Sequence, residues 1–421
     1  MRRNMMRPLL KVFGILPIFL LIILACERIN SPLTPKTKNV RPLTPNETEL
    51  VSADNRFGLK LFQQIVKSDS QENPVISPIS VSMALGMTLN GANGSTREAM
   101  ESTLELQGLS QQQINEAYQS LIKLLLSLDP KVDFRIANSI WYRDGLSFEQ
   151  EFIDLNKLYF NAVVHGLDFS NLASRDIINQ WVSNNTNGRI KEIVEKINPN
   201  DIMFLINAIY FKGIWTYQFQ EDLTHDDLFN LPNGTQIACH LMCQEGEFAY
   251  LVMDKFQAID LPYGDGDFRM TIFLPKSGIT VESLILSMDN NVLNQWFQSF
   301  SVQKGIIEIP KFELKYKIQL KKVLTLLGMG IAFDPHGADF TKLYSGPQNA
   351  FISRVLHKTY IKVDEKGTEA AAVTSVVIDL TSAGNGNEFY FKVNRPFLYI
   401  IRENHSNTIL FIGKMSAPSL N

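Results

Sequence analysis

Cysteine is nearly absent: three residues in 421, at positions 26, 239 and 243. That is too few for a disulfide framework. Charge of one sign is also lacking. The 40 basic and 43 acidic residues leave a net charge of −3, which excludes a nucleic-acid partner recognised by bulk charge. Enzyme signatures are missing too. There is no GxSxG elbow and no HExxH, and His165, His225, His336 and His405 are scattered. GDGD at 264–267 and GMG at 328–330 read as turn chemistry. The run Cys239-His240-Leu241-Met242-Cys243 is a single C-x3-C without a second ligand pair. As a strand it would hold its cysteines on one face about 13 Å apart, beyond disulfide reach. Neither a metal nor a cofactor is expected, and a hydrolytic enzyme would have no nucleophile motif.

What is present begins with a targeting segment. Arg2, Arg3, Arg7 and Lys11 precede an apolar run from Val12 to Leu24, short for a bilayer span. It ends Ile23-Leu24-Ala25-Cys26, which resembles a bacterial lipobox, although Leu24 is bulky for its place. Residues 1–25 are therefore expected to be a lipoprotein signal and Cys26 a lipidated anchor, with several acyl chains giving stable membrane attachment. Export to a cell surface or a periplasmic face follows. Residues 26–49, with PLTP at 32–35 and 42–45, read as a semi-extended tether reaching up to about 70 Å.

From about Leu50 to Asn421 the chain reads as one domain, without a repeat or an internal linker. Phe57–Val66, Gln111–Leu128 and Lys317–Leu327 (ending at Gly328) have helical spacing. Ser77-Pro78 reads as a cap and first turn. Val132–Tyr142, Phe204–Phe211, Phe268–Leu274, Phe389–Val393, Phe397–Arg402 and Thr408–Met415 read as strands. Early helices and late strands imply α+β with mostly antiparallel or mixed sheets.

One stretch fits none of this. VDEKGTEAAAVTSVVIDLTSAGNGNEF, from Val363 to Phe389, is long for a loop yet has strand-forming residues from Val373 to Leu380. At period two, one face carries Thr368, Ala370, Ala372, Thr374, Val376, Ile378 and Leu380. The other carries Glu369, Ala371, Val373, Ser375, Val377, Asp379 and Thr381. Both carboxylates lie on the second face, the pattern of a half-buried strand. It is either a strand already or a segment able to become one.

VISPISVSMALGM (75–87), NGANGSTREAM (90–100), INAIYFKGIW (206–215), HGADFTKLY (336–344), LHKTYIKVDEKGTEAAA (356–372) and FKVNRPFLYIIRENHSNTILFIGKMSAP (391–418) together resemble the serpin family. The likeness runs over nearly all of 50–418. It implies one domain of three β-sheets and about nine helices, with an exposed reactive-centre loop as protease bait. The chain would then be a suicide inhibitor, forming a covalent 1:1 complex with an endopeptidase and, as a monomer, inserting the cut loop into the central sheet. That transition is a known instance of strand addition with release of stored strain. The alternative is a non-inhibitory binding protein on the same fold.

The resemblance assigns residues to roles. Glu365, Lys366, Gly367, Thr368, Glu369, Ala370, Ala371 and Ala372 match the hinge, and small residues suit a segment that must part paired strands. Ser77, Ser80, Asn207 and His357 match a polar cluster where the central sheet opens. Trp215, Lys311 and Glu365 match the point where the loop enters. The bait bond, counted sixteen residues on from Glu365, is Thr381–Ser382, with Leu380–Thr381 and Ser382–Ala383 as rivals. Thr381 suits elastase-like or subtilisin-like serine proteases, and Leu380 suits the second pocket of papain-like cysteine proteases. No Arg or Lys lies in 367–391, which disfavours a trypsin-like target. Residues 101–128, where some serpins bind heparin, offer only Lys123, so no heparin site is expected. Backbone pairing at about 1 kcal/mol per bond plus burial of Val376, Ile378 and Leu380 suggests an insertion gain on the order of 10–20 kcal/mol. The native fold would then be metastable.

Overall fold

The computed structural model describes residues 40–198, 201–347, 349–368 and 388–418. In chain order the helices are α1 (Pro45–Ser68), α2 (Pro78–Leu89), α3 (Gly94–Thr103), α4 (Gln111–Ser127), α5 (Gln150–Phe160), α6 (Leu172–Asn185), α7 (Val281–Leu286), α8 (Asn290–Gln298) and α9 (Lys321–Leu324). The strands are β1 (Val75–Ile76), β2 (Val132–Arg143), β3 (Val163–Leu167), β4 (Met203–Ile214), β5 (His225–Asn230), β6 (Gln236–Val252), β7 (Phe256–Tyr263), β8 (Phe268–Pro275), β9 (Ser301–Pro310), β10 (Phe312–Gln319), β11 (Leu356–Asp364), β12 (Gly367–Thr368), β13 (Phe389–Lys392), β14 (Phe397–Glu403) and β15 (Ile409–Met415). The class is α+β, with nine α-helices among the described residues.

The strands form two hydrogen-bonded networks. One runs β1-β15-β14-β8-β7-β6-β9-β13, with β5 also on β6; the other runs β10-β11-β12-β4-β2-β3. The long β6 accounts for the size of the first. It pairs with β5 over Gln236 to Leu241, with β9 over Leu241 to Tyr250, and with β7 from Ala249. Two of the three expected sheets thus share one strand and merge. The second network is the central sheet. A main core packs α1, α2 and α4 against the sheets. A second cluster, around Trp141, Ile178, Val182, Phe204 and Ile206, seats α6 on the opposite face of β2 and β4. With both faces covered, β4 exposes none of its residues fully: half are buried and the rest partly so.

Three readings of the sequence need correcting. Lys317 does not begin a helix: residues 312–319 are β10, antiparallel to β11, and α9 starts at Lys321. The period-two burial of Phe312, Leu314 and Tyr316 on the inner side carries the strand. Gly328, at φ +114°, lies within the turns that follow α9 rather than capping a long helix. The fold also begins before Leu50. Thr44 caps α1, its hydroxyl accepting from the Glu47 N–H while Glu47 accepts from the Thr44 N–H, a reciprocal capping box. The second PLTP is thus a helix start rather than tether. Finally, the Ser77 hydroxyl does not cap α2.

Among the charged groups, Arg402 and Asp260 are buried together, Oδ2 of Asp260 lying 3.0 Å from Arg402 and 2.9 Å from Arg269. Asp260→Ala strands a buried guanidinium. It should cost about 3–5 kcal/mol, read as a lowered urea midpoint at unchanged slope.

Candidate functional site

β12 is two residues long and lies between two other strands. Gly367 pairs with Ile214 of β4 and Asp364 of β11; Thr368 pairs with Gly213 and Val363. The chain leaves β11 at Asp364, turns through Glu365 and Lys366, and re-enters the sheet beside itself. Close approach makes the turn possible. A Cβ on Gly367 would sit 2.1 Å from the Gly213 carbonyl oxygen, and a Cβ on Gly213 would sit 2.8 Å from the Tyr263 ring. Two glycines on neighbouring strands thus leave room for this close approach where the strand enters.

Five contacts fix the turn. The Trp215 indole N–H donates to the Asp364 carbonyl at 2.9 Å, and its backbone N–H donates to the Lys366 carbonyl at 2.9 Å. Trp215 stacks on Tyr263, ring centroids 4.3 Å apart and planes 11° from parallel. Glu365 accepts from Lys311 at 2.9 Å and from the Thr224 hydroxyl at 2.8 Å. Burial alone would raise the Glu365 carboxyl, but these donors outweigh it and hold it below the usual carboxylate range. Trp215, Lys311 and Glu365, expected together, do meet at one place.

Below Thr368, β4 and β11 are not hydrogen-bonded to each other among the described residues. Between them lies a cavity of about 410 Å³ lined in part by Met203, Leu205, Asn207, Ser353, Val355 and His357. A smaller one of about 20 Å³ sits above it, among Ser77, Ser80, Asn207, Ile209, His357 and Thr359. The four residues of the expected polar cluster surround this slot, but they form two halves. On one side the Ser77 N–H donates to His357 Nε2 at 3.1 Å, and Thr359 Oγ1 lies 3.0 Å from the same nitrogen. On the other, Asn207 Nδ2 donates to Asn138 Oδ1 at 2.7 Å, and Ser80 reaches the Asn207 carbonyl at 3.5 Å. The Ser77 hydroxyl and Asn207 Oδ1 are buried without hydrogen-bond partners among the described residues. Burial pushes His357 down to about 4, so it is neutral at pH 7 and its Nε2 is an acceptor.

The sequence reading did not single out Tyr263, Gly213, Thr224, Asn138 or Thr359. Glu369, Ala370, Ala371, Ala372, Leu380, Thr381, Ser382, Ala383 and Cys26 lie outside the described residues. Cys239 and Cys243 are free thiols on β6, as the strand reading expected. A trio of His225, Asp227 and Glu308 has ligand-type atoms within 4.8 Å of one another, but Lys392 already pairs with Asp227 and Glu308.

The sequence profile of the family described as "Serpin (serine protease inhibitor)" matches residues 52–418. The chain belongs to the serpin family. Serpins are protease inhibitors rather than catalytic enzymes. This serpin is 32% identical to human antithrombin-III over 381 residues, covering 88% of this chain and 82% of that one. It is 33% identical to a serpin-like protein of Thermococcus kodakarensis, over 88% and 86% of the two chains. The crystal structure of native tengpin, a thermophilic serpin, superposes with a TM-score of 0.81 at 33% identity, over 90% of this chain and 95% of that one.

The neutral His357 gives a pH dependence with a definite sign. Its folded value, about 4, lies below the ordinary 6.5. Its contribution is therefore complete above pH 6.5 and is lost as pH falls from there towards 4. Thermal melts across that window should show a fall that is smaller in His357→Gln.

Proposed function

We propose that this serpin is a suicide inhibitor of endopeptidases, trapping its target by adding the cut reactive loop to the central sheet between β4 and β11. The observation that carries the reading is β12: Gly367 and Thr368 already occupy the first two positions of that added strand. Continued in the same register, Ala370 would face Ile361 and Phe211, Ala372 would face Thr359 and Ile209, and Thr374 would come between His357 and Asn207. On β11 the inward residues are His357, Thr359, Ile361 and Val363, so the face of the loop without carboxylates would turn inward. Thr374 would then come to the two groups that lack partners among the described residues, the Ser77 hydroxyl and Asn207 Oδ1. A hydroxyl is chemically suited to both, being donor and acceptor at once. Val376 and Ile378 would fill the larger cavity beyond.

In the trapping reaction the protease nucleophile attacks the Thr381 carbonyl. The bond to Ser382 breaks, the new amine takes the proton and departs on the C-terminal piece, and Thr381 remains as an acyl ester or thioester. Insertion must outrun hydrolysis of that bond. Thr381 favours elastase-like and subtilisin-like serine proteases, with papain-like cysteine proteases as further targets through Leu380. Lipidation at Cys26 would hold the inhibitor on a membrane of the exporting cell, there to meet proteases as a monomer without heparin.

Incubation of the full chain with an elastase-like and a subtilisin-like protease should give a covalent 1:1 complex. The C-terminal fragment it releases should begin at Ser382 by mass spectrometry. Cleavage at the loop without protease loss would overturn the reading. Thr368→Arg introduces a charge into a buried position and should turn inhibitor into substrate. Loop-cleaved wild type should melt far above the intact protein, and cleaved Thr368→Arg should not.

A further inference from the structure

The inner face of the turn contains one group that the serpin reading leaves without a task, the hydroxyl of Tyr263. The ring is fully buried at the end of β7, stacked under Trp215 and edge-on to Phe211 at 5.2 Å. Its hydroxyl shares a hydrogen bond with the Thr368 hydroxyl, which is 2% exposed. Among the described residues Thr368 is its hydrogen-bond partner. If Thr368 withdrew, a buried hydroxyl would lose its partner, which costs more than the bond is worth in water. Loss of this bond should therefore favour withdrawal of the last seated residue.

We infer that Tyr263 is the positioning residue that holds Thr368 as the seated first side chain of the incoming strand, and so sets how often a cut loop inserts before the protease escapes. The inference rests on the inhibitory reading above. The ring and the hydroxyl do different things. The ring carries the Trp215 stack and touches Gly213, so it shapes the floor of the turn. The hydroxyl alone reaches the moving chain. With Thr368 seated, insertion extends an existing two-residue strand. With Thr368 released, the strand must first be nucleated, and closing a loop between strands is the slow part of such pairing. Each protease that deacylates during that delay consumes one inhibitor as substrate.

Tyr263→Phe keeps the ring and removes the hydroxyl. Thr368→Val removes the same bond from the other side, and Thr368→Ser preserves it. In the intact full chain, amide exchange of the peptide spanning residues 365–368 should speed up on the order of three- to tenfold in Tyr263→Phe and in Thr368→Val, the weight of one buried hydrogen bond. Thr368→Ser should exchange like wild type. The double variant should be no faster than either single one, because both remove one interaction. The number of inhibitor molecules consumed per protease trapped should rise in the same order, with the rate of loop cleavage unchanged. Unchanged exchange in Tyr263→Phe or in Thr368→Val, or additive effects in the double variant, overturns the role of the hydroxyl. Faster exchange with unchanged stoichiometry overturns its link to insertion. Failure of wild type to trap any protease overturns the inhibitory reading instead, and the exchange data still decide whether Tyr263 holds Thr368. Thr368→Val carries the test if Tyr263→Phe does not fold.

Discussion

Two residues held between two strands define the working state of this molecule. Gly367 and Thr368 have backbone partners on both sides, one set from β11 and one from β4. Below them those strands lack each other as partners among the described residues. A strand edge inside a sheet carries amide and carbonyl groups that need partners, and a third strand supplies them for both edges at once. The sheet is therefore templated for an addition, and the template begins where the chain already turns into it. Gly367 and Gly213 are what allow the strands to come this close. Trp215, Lys311 and Thr224 bind the turn so that the chain enters at one register.

The slot below is chemically uneven. Its lower part mixes the apolar Met203, Leu205 and Val355 with polar groups such as Ser353, and its upper part is polar around Ser77, Asn207 and His357. Buried hydroxyl and amide oxygens without partners are costly, and two that lack them among the described residues sit in this upper part. A charged histidine there would cost more, which is why burial keeps His357 neutral. The sequence of the proposed added strand would suit this pattern along its inward face: small residues at the entrance, a hydroxyl at the polar level and branched aliphatics beyond. Complementarity of this kind fixes register, since a slip of one residue would turn Asp379 inward.

Much of this was legible in the sequence because periodicity reports burial. The alternation through 368–380 leads to the expectation of a half-buried face; Thr368, buried on the inner side with Val363, agrees with it, and 369–380 lie outside the described residues. Segments with strong period, such as 132–142 and 204–211, are strands within a few residues of their expected ends. The failures have physical causes. Lys317 follows several alternating residues, but the leucines after it mimic a helical stripe, and only pairing with β11 decides the matter. Ser77 has the residue type and the following proline of a cap, yet its hydroxyl faces the slot and its N–H serves His357, 280 positions away. Tyr263 gave no signal at all. One tyrosine at the end of an apolar strand looks like core, and its hydroxyl acquires meaning only when the fold brings Thr368 to it across 105 residues.

The separation of roles at the turn bears on how an inhibitor of the proposed kind could wait without losing speed. In the inhibitory reading proposed above, the force for insertion would come from the length of the slot: many backbone pairs and several buried aliphatics gained along it. The readiness comes from the two seated residues, whose few contacts weigh little against that total. Stabilising those contacts shifts the starting point without shortening the remaining descent, since the seated pair is common to the state before insertion and the state after it. An interaction present at both ends leaves the overall gain unchanged. It acts only on the partly released state between them. The timing of the trap can therefore be set by single hydrogen bonds, while its force is set by an entire strand.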